Sequence, residues 1–391
     1  MRVAHICECF ITGGIESLVC DLSAALQKRE VENHVLFLYG DDQHKDSDLS
    51  GLQSGPVPLG LHQTMRIDLA GIVRLRRVLL RLKPDILHCH GYYAGLACLL
   101  LRPTGIRIPI LYTVHAGIYR GFQRSDRLIQ WVMRRCDQVT AVSDQTAASV
   151  RDFSNGTVHP MVVHNGVNLK RISVADNSAR IQSRRTFGVE PNRLILTMVA
   201  ALNKPKDHPT LFRAFAEALP KLGNVELWLV GDGVDRRNLE KLSNELGIAS
   251  RVHFWGKRND VGNLLLATDV FVLASHSEGL PISVVEACCA GIPVVATDVG
   301  ALAELRRLGL SILLVPTEDV EALQRGLLRL AEPSERLNLA CRLAEHARQL
   351  FSIERTAREY LALYRKLDAR RHPGTINTRR QAQIQSELRS G

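Results

Sequence analysis

Short apolar runs alternate with helical patterns along most of the chain. Runs rich in β-branched and aromatic residues predict buried strands, and apolar residues spaced three and four apart predict helices between them. In the first half the predicted strands cover residues 2–7, 34–38, 85–90, 110–114, 138–142 and 161–164. Strands that are separated by helices of this length indicate βαβ units and a parallel sheet.

The alternation pauses at residues 166–188, which are polar and lack a helical period, so we interpret them as an interdomain linker. It resumes in predicted strands at 194–199, 225–230, 252–254, 269–274, 294–297 and 312–315. The pattern predicts an α/β fold of two doubly wound, Rossmann-like domains, residues 1–165 and 189–349, facing across a cleft. Residues 369–391 are polar and basic, and we expect them to form a disordered tail.

The stretch from Ser277 to Ala287 carries the strongest chemical signal. It follows the predicted strand at 269–274 and leads into a predicted helix at 282–290. Gly279 permits a tight turn and the close approach of a ligand, and Pro281 suits the first turn of the helix. A strand, a tight turn and a helix N-terminus together make an anion site, because the first helix amides have no intrahelical acceptor.

Two carboxylates bracket this anion site. Glu278 lies in the turn, and Glu286 follows on the helix. Carboxylates repel a phosphate but accept hydrogen bonds from hydroxyl groups. An anion site between two hydroxyl acceptors suits a ligand made of a sugar, a diphosphate and a ribose. The alternative interpretation is a capped surface helix with two solvated glutamates.

The same stretch resembles the E-x7-E signature of retaining glycosyltransferases of family 4, which have the GT-B fold. The match continues from Glu286-Ala287 through residues 291–297 to Gly300, and the wider resemblance runs from about residue 13 to residue 364. It implies that Glu278 holds sugar hydroxyls and that Glu286 holds ribose hydroxyls. It also implies that a C-terminal helix at about residues 350–368 returns to the N-terminal domain. The implied donor-binding backbone comprises Gly279, Leu280, Pro281 and Ile282.

Three further residues match the family at loops that follow predicted strands. Gly14 belongs to a glycine pair after the first strand, where the family has a loop that lines the cleft near the donor phosphates and the acceptor. His115 ends the strand at 110–114, where the family has a histidine that contacts the donor sugar. Lys206 corresponds to a lysine whose point charge suits a diphosphate. From the residues alone, each could instead be an ordinary turn glycine, loop histidine or solvated lysine.

One position departs from the family pattern. Ala201 stands where the family usually has an arginine, which could clamp a phosphate through two hydrogen bonds. Lys204 could replace that charge, or the helix amides could suffice, or the activity could be weak or altered. His88 and His90 end the preceding strand, where the family often has a histidine.

Composition narrows the class of protein. The 391 residues hold 46% apolar and 23% charged residues, as in ordinary globular proteins, and nine cysteines without a Cys-x-x-Cys pair predict reduced thiols and no zinc site. No apolar run is long enough to predict a transmembrane helix, so we expect a cytoplasmic protein. The net charge of +10 accompanies no nucleic-acid-binding motif. Basic stripes at 69–82 and 119–135 indicate either a solvated face or a contact with the inner surface of an anionic membrane.

The resulting hypothesis is a retaining, metal-independent hexosyltransferase without a cofactor. Its donor would be a UDP- or GDP-sugar, its acceptor a saccharide or lipid-linked saccharide, and its pathway the synthesis of a cell-surface polysaccharide. Glu278, His115 and Lys206 would be the catalytic residues. The alternatives are a nucleotide-sugar-binding scaffold without turnover, which Ala201 makes plausible, and a GT-B-fold nucleotide-sugar epimerase.

Overall fold

A computed structural model describes residues 1–9, 14–39, 57–58, 69–118, 123–174 and 177–371. The chain divides into two compact units. The first comprises residues 1–142 and 147–163 together with the C-terminal helix from Glu354, and the second comprises residues 143–146 and 164–353.

Strands and helices alternate throughout both units. The strands are β1 (Arg2–Cys9), β2 (Glu32–Tyr39), β3 (Val57–Pro58), β4 (Ile86–His90), β5 (Ile110–Val114), β6 (Gln138–Ala141), β7 (Met161–Val162), β8 (Leu194–Val199), β9 (Val225–Val230), β10 (Val252–Gly256), β11 (Val270–Leu273), β12 (Val294–Thr297) and β13 (Ile312–Val315).

The helices are α1 (Gly14–Gln27), α2 (Leu69–Leu82), α3 (Tyr92–Leu100), α4 (Gln123–Arg135), α5 (Asp144–Phe153), α6 (Asn177–Thr186), α7 (His208–Leu222), α8 (Arg236–Glu245), α9 (Val261–Ala267), α10 (Ile282–Ala290), α11 (Leu302–Arg307), α12 (Val320–Ala331), α13 (Pro333–Ala340), α14 (Leu343–Leu350) and α15 (Ile353–Arg371).

The first unit is built on a parallel sheet with the strand order β3-β2-β1-β4-β5-β6-β7 in its described part. Strands β4 and β5 are buried along their whole length, as expected of central parallel strands covered on both faces. The order reverses direction between β1 and β4, so their carboxyl ends flank a switch point where open α/β sheets bind ligands.

The C-terminal helix α15 packs on the first unit from Glu354 onwards. Tyr360 and Tyr364 are buried on this helix, and their hydroxyls lie 3.2 Å from Thr113 Oγ1 and 2.6 Å from His88 Nδ1. Aromatic rings with satisfied hydroxyls therefore attach the helix beside the carboxyl ends of β4 and β5.

The second unit has a parallel sheet with the order β10-β9-β8-β11-β12-β13 among its described residues. Strands β11 and β12 and most of helix α10 are buried, which places the core around the middle of the sheet. The predicted α/β fold with two doubly wound sheets is confirmed. Strands β5, β8, β9, β12 and β13 begin and end where the sequence predicts.

The segment at 166–188 differs from the expected linker because it contains helix α6 within the second unit. Two of its arginines face inward: Arg180 and Arg184 bind the Asp269 carboxylate at 2.5 and 3.1 Å, and Arg184 is only 8% exposed. Buried ion pairs therefore take the place of the apolar stripe by which an amphipathic helix is recognised. In the tail predicted at 369–391, α15 continues to Arg371, and residues 372–391 lie outside the described part.

Across the described residues, no helix combines the length and apolar character that crossing a bilayer requires. The described cysteines, among them buried Cys7, Cys288 and Cys289, form no disulfide with one another.

Candidate functional site

Strand β11 ends at a buried turn that leads into helix α10, and we call residues 275–281 the β11–α10 turn. Ser275 opens this turn and is fully buried. Its amide donates to Thr297 Oγ1 at 2.9 Å, and the Thr297 hydroxyl donates to the Ser275 carbonyl at 2.8 Å. Because Thr297 ends β12, these two bonds attach the start of the turn to the neighbouring strand.

Glu278 and Lys206 form an ion pair at this turn. Lys206 Nζ lies 2.5 Å from Glu278 Oε1, and Ser275 Oγ donates to the same oxygen at 2.7 Å. The Glu278 side chain is 8% exposed and that of Lys206 is 24% exposed, so water screens the pair only partly. The structure thus brings together two residues predicted as catalytic that are 72 positions apart in sequence.

The loop after β8 holds Lys206 in place. Pro205 accepts a hydrogen bond from the His276 amide at 2.9 Å, which joins this loop to the β11–α10 turn. Asp207 adopts a left-handed conformation and caps helix α7 by accepting from the Thr210 amide at 3.3 Å. These contacts fix the backbone on both sides of Lys206, so the ammonium group is presented from a defined position.

Helix α10 begins directly after Pro281, whose carbonyl accepts from the amides of Val284 and Val285 at 3.2 Å. The N-cap residue Pro281 makes no side-chain capping hydrogen bond, and the amides of Ile282 and Ser283 have no intrahelical acceptor by the geometry of helices. The partial positive charge of the helix end adds to that of Lys206.

The turn is supported from behind by the loop between β12 and α11. The Ala301 amide donates to the Gly279 carbonyl at 3.0 Å. Gly300 has φ +57°, and a Cβ atom there would lie 2.2 Å from the Glu278 carbonyl oxygen. Gly279 and Leu280 are themselves buried.

Three further positions in the second unit border the loops after β8 and β9 or lie on helix α10. Glu286 lies half-buried on α10. Ala201 is exposed, and its neighbour Leu202 donates its amide to the Asp232 carbonyl at 3.1 Å. Gly231 is required by close packing, since a Cβ atom there would lie 2.0 Å from the Ala200 carbonyl oxygen. The loops after β8 and β9 therefore form one surface.

In the first unit, four histidines cluster on the central strands and directly after them. His5 lies on β1, His88 and His90 lie on β4, and His115 directly follows β5. His5 Nδ1 lies 3.1 Å from His90 Nε2, and His90 Nδ1 lies 3.0 Å from His115 Nε2. His115 is thus the end of a hydrogen-bonded series of imidazoles.

Burial keeps these histidines neutral. It lowers the pKa of His5 and of His115 to about 4. Burial, with the charges of neighbouring imidazoles, lowers the pKa of His88 and His90 well below the usual range. An imidazole that stays neutral at neutral pH can offer a lone pair to a hydroxyl group.

Gly14 is the exposed first residue of helix α1, and its partner Gly13 lies outside the described residues. Two carboxyl groups lie near this end of β1. Burial raises the pKa of Glu16 to about 7, with a smaller effect of the Glu8 charge. Glu8 accepts from the Tyr93 amide at 2.7 Å, and burial raises its pKa as well.

Sequence reasoning missed Ser275, Glu16 and His5. Ser275 precedes the recognised signature, and Glu16 resembles any acidic residue in a first helical turn. His5 had a signal, because a histidine within an otherwise apolar strand needs a polar partner, but the sequence did not reveal that His90 is that partner.

The comparisons with known proteins cover both units. Residues 12–171 match the family model described as Glycosyltransferase Family 4, and residues 179–350 match the one described as Glycosyl transferases group 1. The N-acetyl-alpha-D-glucosaminyl L-malate synthase of Bacillus anthracis is 26% identical over 76% of this chain and 78% of its own length. An Escherichia coli UDP-Gal:alpha-D-GlcNAc-diphosphoundecaprenol alpha-1,3-galactosyltransferase is 24% identical over 68% of this chain and 71% of its own.

Solved structures agree on the fold. A sucrose-phosphate synthase from Thermosynechococcus elongatus superimposes with a TM-score of 0.82 at 21% identity, over 94% of this chain and 99% of that one. The Anabaena protein HepE in complex with UDP-glucose superimposes with a TM-score of 0.79 at 20% identity, over 93% and 99% of the two chains. The resemblance and the GT-B fold inferred from the sequence are confirmed.

Proposed function

Because the chain belongs to the family 4, group 1 glycosyltransferases, we propose that it moves a hexosyl unit from a nucleotide diphosphate sugar to a saccharide or lipid-linked saccharide acceptor, with retention of configuration. The observation that carries the proposal is the meeting of Lys206, Glu278 and the N-terminus of α10 at one turn. A cation and helix amides suit a diphosphate, and the carboxylate suits hydroxyl groups.

In the proposed complex the diphosphate lies on the backbone of Gly279, Leu280, Pro281 and Ile282. Lys206 stabilises the negative charge that grows on the leaving phosphate, and this charge stabilisation needs no metal ion. The bond between the sugar C1 and the diphosphate oxygen breaks while the acceptor oxygen bonds to C1 on the same face. The proton of the acceptor hydroxyl passes to the departing phosphate.

The remaining predicted residues have binding roles in this proposal. Glu278 accepts from sugar hydroxyls, and Glu286 accepts from the ribose hydroxyls. In the first unit, His115 accepts from a further sugar hydroxyl, and Gly14 lets the backbone approach the phosphates or the acceptor. Because the exposed Ala201 carries no charge, Lys206 and the helix amides stabilise the phosphate charge without it.

The names of similar proteins favour a UDP-sugar as donor. The Escherichia coli relative is named for UDP-Gal, and the HepE structure contains UDP-glucose. A GDP-sugar is the alternative donor. A thermal-shift series of UDP, GDP and their hexose conjugates would identify the base, since a ligand that binds only the folded state raises its melting temperature.

The basic helices support contact with the surface of an anionic membrane. On α2, Arg74, Arg77 and Arg81 are exposed, while on α4 the exposed Trp131 is covered by the Arg135 guanidinium at 5.6 Å. An exposed aromatic ring among cations suits the boundary between lipid headgroups and chains. Cosedimentation with vesicles containing a third phosphatidylglycerol, but not with pure phosphatidylcholine vesicles, would support this contact. Equal sedimentation of Trp131→Ala would contradict it.

Turnover separates the proposal from its alternatives. The full chain is incubated with the nucleotide sugar from the thermal-shift series and a saccharide acceptor, and NMR follows nucleotide release and the anomeric configuration of the product. Glu286→Gln should abolish most of the release, while Glu321→Gln, an exposed control on α12, should not change it. Binding without product would favour a scaffold, a free isomer an epimerase, and an inverted product would contradict retention.

A further inference from the structure

Three of the buried histidines form a hydrogen-bonded series that ends at His115. Neighbouring rings are joined by the contacts His5 Nδ1–His90 Nε2 at 3.1 Å and His90 Nδ1–His115 Nε2 at 3.0 Å. A neutral imidazole has one N–H donor and one lone-pair acceptor. Because burial keeps all three rings neutral, the proton position on one ring determines the proton position on the other two.

The side chain of Asn33 sets the direction of the series. Its Nδ2 donates to the Val31 carbonyl at 2.8 Å and to the Ser23 carbonyl at 3.2 Å, so its oxygen is the atom turned away from these carbonyls. Asn33 pairs with Val3 in the sheet, and His5 lies two residues further along the same face of β1. Asn33 acts against burial by raising the pKa of His5, as a hydrogen-bond acceptor does.

Two buried atoms point to the same arrangement. Neither Asn33 Oδ1 nor His5 Nε2 has a hydrogen-bond partner among the described residues. Because an acceptor and a potential donor are both buried and unpaired on adjacent strands, and Asn33 raises the pKa of His5, we take the two atoms as partners of each other. His5 therefore carries its proton on Nε2 and accepts at Nδ1. His90 must then donate from Nε2, and His115 must donate from Nε2 to His90.

We infer that Asn33, His5 and His90 are positioning residues that hold the proton of His115 on Nε2 and so leave its Nδ1 as a lone-pair acceptor for a ligand hydroxyl. His115 Nδ1 is buried and has no partner among the described residues. A lone pair in that position accepts a hydroxyl hydrogen and repels a phosphate or carbonyl oxygen. That the hydroxyl belongs to the donor sugar rests on the proposed function.

His88 stands outside the series. Its Nδ1 is bonded to Tyr364 at 2.6 Å and its Nε2 to Thr113 at 2.7 Å, so two hydroxyls already occupy both nitrogens. Nitrogens of His5, His88 and His90 lie within 4.8 Å of one another, a spacing that could also suit a metal ion. The hydrogen bonds of these rings favour the proton series, and the experiment below distinguishes the two.

The direct test is the tautomer of each ring. The full chain is labelled with ¹⁵N-histidine, its ring signals are assigned from single histidine variants, and long-range ¹H–¹⁵N spectra are recorded without ligand at pH 7.5. We expect the Nε2–H tautomer for His5, His90 and His115. An Nδ1–H tautomer at His115, or stoichiometric zinc in the purified protein by mass spectrometry, would overturn the inference.

A matched pair of variants tests the consequence for function. In His90→Asn the side-chain oxygen occupies the position of Nδ1 and still accepts from His115, whereas His90→Leu removes this acceptor. We expect kcat/KM for the donor to fall about tenfold in His90→Leu and to be largely restored in His90→Asn, because about one hydrogen bond is lost. Equal values in the two variants contradict the inference.

A failure of this inference can be distinguished from a failure of the proposed function. If His90→Leu fails to fold, as its melting curve would reveal, the tautomers of the wild-type rings decide. If no nucleotide sugar is turned over by the wild-type chain, the proposed function fails, but the Nε2–H tautomers stand or fall by NMR alone.

Discussion

The position of Lys206 is set by the partner that it binds. Its ammonium group lies 2.5 Å from Glu278, and Ser275 donates to the same carboxylate oxygen. The neighbouring His208 is buried, and burial together with the Lys206 charge lowers its pKa to about 4, so it adds no second positive charge at neutral pH. Lys206 is thus a cation of defined position beside the N-terminus of α10.

Replacing this cation should affect catalysis more than folding. Lys206→Ala should lower kcat by about a hundredfold to a thousandfold, because one preorganised group that stabilises the leaving-group charge contributes on that scale. Lys241→Ala removes an exposed lysine from α8 and serves as the matched control, for which we expect unchanged kcat. Nucleotide release at saturating donor gives both values, and a loss below threefold in Lys206→Ala would count against its role.

Glu16 offers a second test at the scale of one residue. Its pKa in the folded chain is about 7, chiefly because of burial, whereas the unfolded value is 4.5. The folded state therefore loses stability relative to the unfolded state as the pH rises from 4.5 to 7. Glu16→Gln should raise the melting temperature at pH 8 and leave it nearly unchanged at pH 4.5. The exposed Glu217→Gln should have no such pH-dependent effect, and a gain at pH 4.5 equal to that at pH 8 would refute this explanation.

Single residues were predictable where a pattern fixed their place on an element. His115 and Glu278 follow strands, and the positions of those strands were evident from apolar runs. The partners were not predictable, because contacts such as Lys206 with Glu278 or His5 with His90 join residues that are far apart in sequence. Which strands are neighbours, and in what register, decides these contacts.

At the scale of elements, the β11–α10 turn depends on the loop that follows β12. Gly300 in that loop has φ +57° and lies against the Glu278 carbonyl. A side chain there would displace the backbone of Glu278 and, with it, the carboxylate that pairs with Lys206. The geometry of the turn is therefore maintained by a glycine that belongs to a different strand–helix unit.

Gly300→Ala should consequently weaken donor binding. Gly247→Ala is the matched control, because Gly247 also has a positive φ, +69°, but a Cβ atom there meets nothing within 4 Å. Both variants should lose about 1 to 2 kcal/mol from left-handed backbone strain. Only Gly300→Ala should in addition raise the Kd for the nucleotide diphosphate, by about tenfold or more. Titration calorimetry with equal Kd values for the two variants would contradict this dependence.

Helices and strands were predictable where their buried side chains are apolar, and were missed where the buried side chains are charged. The bounds of β5, β8, β9, β12 and β13 agree with the prediction because these parallel strands are continuous apolar runs. Helix α6 was taken for a linker because its buried face is formed by Arg180 and Arg184, which pair with Asp269 more than 80 residues away. A helix whose buried side is charged leaves no apolar period in the sequence.

At the scale of the whole molecule, the two units differ in how they should respond to acid. In the first unit, burial lowers the pKa of four histidines, and in the described part of the second it lowers the pKa of the one buried histidine, His208. Below pH 6.5 the unfolded chain binds protons at these positions that the folded chain does not. The stability that they provide is present above pH 6.5 and is lost as the pH falls toward 4.

Two carboxyl groups of the first unit act in the opposite direction. Glu8 and Glu16 have raised pKa values, so the folded state gains protons there as the pH falls. Four histidines against two carboxyls leave a net uptake of at least one proton on unfolding between pH 6 and pH 5. The free energy of unfolding should then fall by at least about 1.4 kcal/mol per pH unit.

Acid should therefore loosen the first unit before the second. Hydrogen exchange, corrected for the intrinsic effect of pH and followed by mass spectrometry, should reveal lost protection in peptides from β4 and β5 between pH 7 and pH 5. Peptides from β11 and β12 provide the internal comparison, and their protection should change less. If all four strands lose protection in parallel, the buried imidazoles do not set the acid sensitivity of the first unit, and their neutral state at pH 7 contributes no selective stability.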